Sequence, residues 1–526
     1  MNVHSKQLQE QLWAAAEHMR ASSRLNLNQI SAPILGMIFL KFADVRFEKA
    51  KKELEEERLS TKSTRQRPLS PDDYKARGVL FVPEKASFSY LLNLPENENI
   101  GKVLNEAMSA IEEENRDLAG ILPQSYTTLT QKADENNRIL ITLLKNFNQI
   151  PEDIEGDAFG EIYEYFLGNF ALAEGKNGGE FFTAQSIVKL LVEIIEPYHG
   201  RIYDPACGSG GMFVQSANFV KAHLKNKSQV MDEVAIYGQE GKDETIKISK
   251  MNLAIHGLSG KILPANSYYE DLFKSIGKFD FVLANPPFNV EGYDNKNKQV
   301  IIDPSRLKGD PRFFLGLPLT QKGTVTNANY LWMQMFASAL NSKGRAGFVM
   351  ANSATDAGNA EKEIRKKLID IGIVDVIIST PPNMFLNVTL SATLWFFDKG
   401  KKGTERENKV LFINAQDIFT VVDRAHNNWT DEQLQEIAGI VRRYREEEGV
   451  GKYEDVAGRC KVATLEEIKE NGYSLNPGRY IEITEKEMDD VEFESRMREL
   501  SVEFKSLTQK AHEFEKKIEE DWEKII

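Results

Sequence analysis

Cysteine is almost absent from this 526-residue sequence, which has only Cys207 and Cys460. That excludes a disulfide framework and suits a reducing compartment. The seven histidines are scattered without ligand spacing, so no metal site is expected, and no Ser/His/Asp set is visible. Long apolar runs are missing too. The longest near the start, "APILGMIFLKFA", is too short to span a bilayer and of a length that packs a helix into a core. The opening "MNVHSKQLQEQLW" has no signal-peptide pattern, so a cytoplasmic protein without a membrane segment is expected. Positive charge is also in deficit: 66 Lys and Arg stand against 79 Asp and Glu, a net charge of −13. A chain that grips nucleic acid by itself carries a basic surface. Any such affinity here must therefore be local or supplied by a partner, and the excess acid otherwise serves solubility.

What is present is enough chain for roughly two to four domains, with a hydrophobic share of 41% that supports a sizeable core. Residues 1–165 read as helical, with apolar residues at three- and four-residue steps in "LQEQLWAAAEHMR" and "PILGMIFLKFADVRFEKAKKELEEERL". The polar, Pro-containing "STKSTRQRPLSPDD" reads as a surface loop. Over 166–420, short β-branched runs alternate with helical stretches: "RIYDPA", "EVAIYGQE", "KILPAN", "FDFVLA", "RAGFVM", "IVDVIIS" and "TLWFF". This alternation predicts an α/β fold, a mostly parallel seven-stranded sheet with helices on both faces and a ligand site beyond the strands' carboxyl ends. The stretch from Val290 to Asn327 breaks the rhythm. It is long, and its Lys296, Lys298, Arg306, Lys308 and Arg312 make it a candidate for closing on a polyanion. Residues 421–526 read as acidic and helical. They end in a heptad seam of Phe493, Met497, Leu500, Phe504, Leu507, Ala511, Phe514 and Ile518, separated from what precedes by the turn "YSLNPGRYI".

Polar residues recur where the first four strands end. "RIYDPACGSGGMF" follows a strand and opens a helix, and Gly208, Gly210 and Gly211 permit a tight turn with close approach to a ligand. Phe213 stands where a nicotinamide fingerprint needs glycine, and the Lys-Ser/Thr of a phosphate loop is missing. Asp204 suits a cationic group better than a pyrophosphate. Glu240 ends the second strand, where an acid accepts ribose hydroxyls. Asn266 ends the third, placed to hydrogen-bond an adenine ring. Asn285 ends the fourth, in "FDFVLANPPF", where Pro286 and Pro287 fix two φ angles, remove two donors and press Asn285 into an extended conformation.

"DPACGSGG" followed by "NPPF" resembles the S-adenosylmethionine-dependent methyltransferases that methylate amino groups in DNA, and "GGEFFTAQSIVKLLVEI" resembles that class's additional cofactor motif. With "LWAAAEHMR…ILGMIFLKFADVRF", "MNLAIHG" and "LNPGRYI", the chain is similar nearly end to end to the modification subunit of type I restriction-modification systems. The resemblance implies a Rossmann-like class I methyltransferase domain (166–420), an N-terminal helical domain (1–165) and a C-terminal helical, coiled-coil tail (421–526) that docks on a specificity subunit. It also implies S-adenosylmethionine as cofactor and DNA as substrate. The implied partners are a separate specificity subunit, a second copy of the chain and a restriction subunit. By the family pattern, Glu180, Phe181, Phe182, Thr183, Ala184 and Gln185 surround the cofactor's methionine end. Asp204, Ala206, Gly208, Ser209, Gly210 and Gly211 hold its amino acid portion, Glu240 its ribose and Asn266 its adenine. Ala184 replaces a usual proline, and Asn266 replaces a frequent aspartate.

The same resemblance makes Asn285, Pro286, Pro287 and Phe288 the catalytic set. Adenine N6 is a poor nucleophile because its lone pair is delocalised into the ring. The Asn285 side-chain oxygen and the Pro286 carbonyl would each accept one N6 hydrogen bond, favouring a tetrahedral nitrogen aimed at the methyl group. Such placement is worth about 7–11 kcal/mol. Phe288 would stack on the extruded base, returning about 1–3 kcal/mol against the few kcal/mol that flipping costs. Cytosine C5 methylation lacks its Pro-Cys dipeptide, whereas cytosine N4 poses the same problem as adenine N6 and stays open on these residues. The alternatives are a self-sufficient DNA methyltransferase, a protein-glutamine methyltransferase (much smaller, without the helical region or heptads) and a non-catalytic interaction protein.

Overall fold

Alternate residues of each central strand feed two different apolar cores, one on each face of a twisted sheet. In a computed structural model, Leu394 and Phe396 pack on one face, and Trp395 and Phe397 on the other. Such double-sided burial is what strands covered by helices on both faces require. The structure describes residues 3–23, 27–60, 68–95, 98–133, 138–151, 158–174, 183–223, 233–385, 391–423 and 426–482, with isolated positions beyond 496.

Among the described residues the main sheet has nine strands, not the expected seven. They are β1 (Gly200–Asp204), β2 (Val234–Glu240), β3 (Gly260–Pro264), β4 (Phe279–Ala284), β5 (Leu340–Ala351), β6 (Val374–Ser379), β7 (Ala392–Asp398), β8 (Lys409–Asn414) and β9 (Cys460–Thr464). Their spatial order is β9-β8-β6-β7-β5-β4-β1-β2-β3. All seven runs identified from the sequence lie in it. The two additional strands break the strand–helix alternation: β8 follows β7 with no α-helix between them, and β9 is a five-residue edge strand paired antiparallel to β8. The sheet thus continues past residue 420, and the helix Asp431–Tyr444 packs against it through Leu434, Ile437 and Val441. β7 runs antiparallel between β5 and β6, whereas β1 pairs in parallel with both β2 and β4. β2 and β3 are laid on one side of β1, and β4 on the other, so the strand order reverses between β1 and β4 and a crevice opens beyond their carboxyl ends.

The N-terminal region is helical. The helix Leu27–Ser60 buries Ile34, Ile38, Phe39 and Phe42, and the helix Ala158–Glu174 buries Ile162, Tyr163, Phe166 and Phe170 in the same core. Gly36 lets the first of these helices meet the Pro123 segment: a Cβ there would lie 2.3 Å from the proline ring. Met251 and Ile255, from the helix Asp243–Ile255 behind β2, enter this core and join the helical region to the sheet. The chain divides into two units, Met1–Ile481 and Glu482–Ile526. Of the second, Glu482 and isolated helical positions beyond 496 are described; Met497 is half exposed, and the remaining heptad residues lie outside the described residues. No helix among the described residues is long and apolar enough to cross a membrane, and none of their His, Cys, Asp and Glu groups is placed to hold a metal ion.

Candidate active site

β1 ends in Asp204, and the chain then turns on two glycines in the left-handed region, Gly208 (φ 52°) and Gly210 (φ 82°). Only glycine adopts these angles without strain. A Cβ on Gly210 would also sit 2.8 Å from the Ser249 hydroxyl, whereas one on Gly211 would meet nothing within 4 Å. The turn therefore rests on the helix behind it and leaves an open cradle in front. Three further bonds brace it: Cys207 N–H to the Gln239 carbonyl (3.1 Å), Asn252 Nδ2 to the Ser209 carbonyl (3.0 Å), and Ser267 Oγ to the Pro205 carbonyl (2.6 Å).

Asp204 is 1% exposed, accepts a hydrogen bond from the Ala206 N–H (2.9 Å) and forms no ion pair among the described residues. Burial pushes its carboxyl well above the usual range, the Glu240 charge adds to this, and the Ala206 bond only partly opposes it. A buried acid without a cation is unfavourable by itself, so the site is matched to a cationic ligand group. Burial, then the Asp204 and Glu240 charges, likewise push the Cys207 thiol up. It stays protonated and is no nucleophile for cytosine C5 chemistry.

Glu240 closes the turn from β2. Its Oε1 accepts the N–H groups of Gly241 (2.8 Å) and Lys242 (3.0 Å), and its Oε2 accepts that of Gly208 (3.2 Å). Asn266 stands exposed after β3, its Oδ1 accepting the Tyr268 N–H.

Asn285 lies across the crevice at the end of β4. Its Nδ2 donates to the Thr183 hydroxyl (2.9 Å), whereas its Oδ1 is buried with no hydrogen-bond partner. An orphaned buried acceptor costs about 1–3 kcal/mol and calls for a ligand donor. Pro286 is buried, Pro287 exposed, and Phe288 half-buried against both apolar cores. The next residue, Asn289, adopts φ 59°, held there by reciprocal bonds with Asn329: N–H to Oδ1 at 2.8 Å and Nδ2 to Oδ1 at 3.1 Å. This pair clasps the neck of the excursion that follows, which Ala328 N–H closes on the Val290 carbonyl (2.9 Å).

Thr183, Asp204, Ser209, Gly211, Met212 and Asn285 surround one cleft. Ala206, Gly208 and Gln185 line it too, whereas Glu240 and Asn266 lie outside its wall and Ala184 opens the adjoining helix Gln185–Ile195. Glu180, Phe181 and Phe182 lie outside the described residues.

The excursion is a packed element rather than an open loop. It buries Ile302, Leu307, Phe313 and Val325. Arg312 is therefore not the solvent-facing cation that its place in a basic loop predicts. It is 3% exposed, paired with Asp310 (2.6 Å) and bonded to the Ser267 carbonyl (2.8 Å). Lys296, Lys298 and Lys308 are exposed and form no ion pair among the described residues.

Sequence reasoning missed the supporting residues. Ser249 and Asn252 hold the glycine turn from behind, and their three-residue spacing on a helix was the available signal. Glu164, from the helical region, lines the cleft and accepts a hydrogen bond from Gln185 (2.7 Å). Nothing in its local sequence marks it.

Comparison with known proteins places this geometry in context. Residues 154–489 match the family described as N-6 DNA Methylase, and residues 8–147 match the HsdM N-terminal domain. The chain is 36% identical to the type I restriction enzyme MjaIX methylase subunit of Methanocaldococcus jannaschii, over 98% of this chain and 90% of that protein. It is 37% identical to the type I restriction enzyme HindI methylase subunit of Haemophilus influenzae, over 80% of this chain and 92% of that protein. The fold resembles the crystal structure of the type I restriction-modification methyltransferase subunit from Streptococcus thermophilus. That likeness has a TM-score of 0.73 at 23% identity, covering 91% of this chain and all of that one.

Proposed function

The chain belongs to the N-6 DNA methylase family, as a methylase subunit of the type I restriction class that methylates adenine N6 in DNA, and on that premise we propose how its cleft works. The donor is S-adenosylmethionine, and the target adenine is chosen by a separate specificity subunit. Bound S-adenosylmethionine supplies an electrophilic methyl group on a sulfonium. Asp204, buried without a cation, holds the donor's ammonium group, and the cradle in front of Gly211 admits its backbone-like end. Glu240, fixed by three N–H groups, presents its remaining lone pairs to the ribose, and Asn266 reaches the adenine ring.

One observation carries the reading: Asn285 has its amide nitrogen tied down and its oxygen buried and unpartnered at the cleft wall. That oxygen accepts one N6 hydrogen bond of an extruded adenine. The Pro286 carbonyl accepts the other, and Phe288 stacks on the base. The two bonds draw the lone pair out of the ring and aim it in line with the methyl. Transfer leaves a neutral thioether and a cationic, acidic N6, which then loses one proton to solvent water.

DNA contact falls to the exposed lysines of the excursion, while the acidic remainder relies on its partners. These are the specificity subunit, a second copy and a restriction subunit, in a cytoplasmic complex. Labelled methyl transfer to genomic DNA, with and without the specificity subunit, followed by identification of the modified base, tests the proposal. N6-methyladenine only in the presence of the subunit is expected; N4-methylcytosine, or full activity of the chain alone, would contradict it.

A further inference from the structure

Glu164 belongs to the N-terminal helical region, yet it stands in the wall of the cleft with Thr183 and Asn285. Its neighbours on the helix, Ile162, Tyr163 and Phe166, are buried in the helical core, so the backbone that carries it is firmly placed. Groups from other elements meet the carboxylate, Gln185 and His256 among them. Gln185 Nε2 donates to Oε2 at 2.7 Å, and His256 Nε2 lies 4.0 Å from Oε1. The side chain retains 13% exposure.

The charge in this cleft has one sign. Among the described residues its wall carries the acids Glu164 and Asp204 and no Lys, Arg or His. A methyl donor of the sulfonium class and its spent thioether product differ by one positive charge, located at the sulfur. Their ammonium and carboxylate groups are identical. Asp204, at the turn that receives the amino acid portion, faces charge common to both. Glu164 bonds Gln185, two residues from the Thr183 that bonds Asn285, and the sulfur must lie near Asn285 for its methyl to reach an amine held there. Glu164 thus stands on the Asn285 side of the cleft, where charge vanishes on transfer.

We propose that Glu164 is a donor-binding residue that discriminates the charged donor from the neutral product, so that the helical region assists product exchange. The inference rests on the S-adenosylmethionine reading of the cleft. The attraction acts across a partly buried gap, where a unit charge pair is far stronger than in bulk water.

Calorimetric titration of the full chain, alone and assembled with its specificity subunit, tests this. The probes are S-adenosylmethionine, S-adenosylhomocysteine and sinefungin, which carries a protonated amine in place of the sulfonium methyl. Glu164→Gln keeps the shape and an acceptor for Gln185. It is expected to weaken S-adenosylmethionine and sinefungin about tenfold and the homocysteine product less than about twofold. Glu164→Asp, which keeps the charge, should retain the preference and serves as the second variant should the amide compromise folding. Asp204→Asn should weaken all three alike. Equal weakening of all three by Glu164→Gln, or no weakening, would overturn the inference and leave Glu164 as a support for Gln185. A wild-type chain that binds none of the three in either setting would overturn the donor reading itself, and the inference with it.

Discussion

The amide nitrogen of Asn285 donates to the hydroxyl of Thr183, 2.9 Å away and 102 residues earlier in the chain. This bond decides which end of the amide faces the cleft. With the nitrogen engaged, the oxygen is left as the available acceptor of the site, and the segment that carries Thr183 becomes the support of the Asn285 turn.

Thr183→Val removes the orienting hydroxyl and keeps the volume. Single-turnover methyl transfer should slow about 10- to 100-fold, the scale of a misplaced reacting group. Thr183→Ser should restore most of the rate. Asn285→Ala should cost about 10²–10³-fold, as when a preorganised hydrogen-bonding group is deleted. An unchanged rate in Thr183→Val would show that the amide is oriented by something else.

Asp204→Asn should weaken donor binding while leaving the free chain as stable as before or more so. The sign follows from the raised carboxyl pKa of the folded state. The folded chain holds the proton more tightly than the unfolded chain does, so ionisation costs stability as pH rises above the unfolded value. The melting temperature of the variant relative to wild type should therefore increase with pH. Donor binding by the wild type should strengthen with pH and release protons, measurable by calorimetry in buffers of different ionisation enthalpy.

Joint replacement of Lys296, Lys298 and Lys308 by Ala should weaken DNA binding by the assembled complex. It should also reduce the slope of log affinity against log salt by up to about three, one for each phosphate that a lysine no longer neutralises. Arg312→Ala should behave differently. Arg312 is buried against Asp310 and the Ser267 carbonyl, so its replacement should lower the melting temperature first, by removing one partner of a buried ion pair.

Asp375 is fully buried near the amino end of β6, away from the cleft, and pairs with Arg406 (2.7 Å), Arg445 (3.2 Å) and Lys401 (3.9 Å). Burial alone would raise its carboxyl pKa, but the three cations outweigh it and hold the pKa below the usual range. This stabilisation is present above the unfolded pKa and is lost as pH falls through the folded one. Asp375→Ala leaves three cations around an empty site and should cost about 3–5 kcal/mol in denaturant unfolding. Methyl transfer per folded molecule should be unchanged.

Much of this is legible locally. Strand alternation, the glycine turn and the proline-stiffened Asn285 are written in short stretches, because backbone angles and side-chain faces depend on near neighbours. The seven principal strands and their polar ends can be read in this way. Strands β8 and β9 cannot, since β8 follows β7 with no α-helix between them and β9 is a five-residue edge strand paired antiparallel to β8, so neither fits the alternating pattern. Arg312 misleads for a related reason: a basic residue in a loop has the same local sequence whether it faces solvent or an aspartate in the core.

The sequence by itself determined the kind of fold, the order of its parts and the four polar residues that end consecutive strands. Only the tertiary structure decided that Thr183 orients Asn285, that Ser249 and Asn252 support the glycine turn, and that Glu164 crosses from the helical region into the cleft. Those contacts join elements far apart in the chain. Their partners are selected by how layers pack and by the need to satisfy buried polar groups, and no local spacing encodes either.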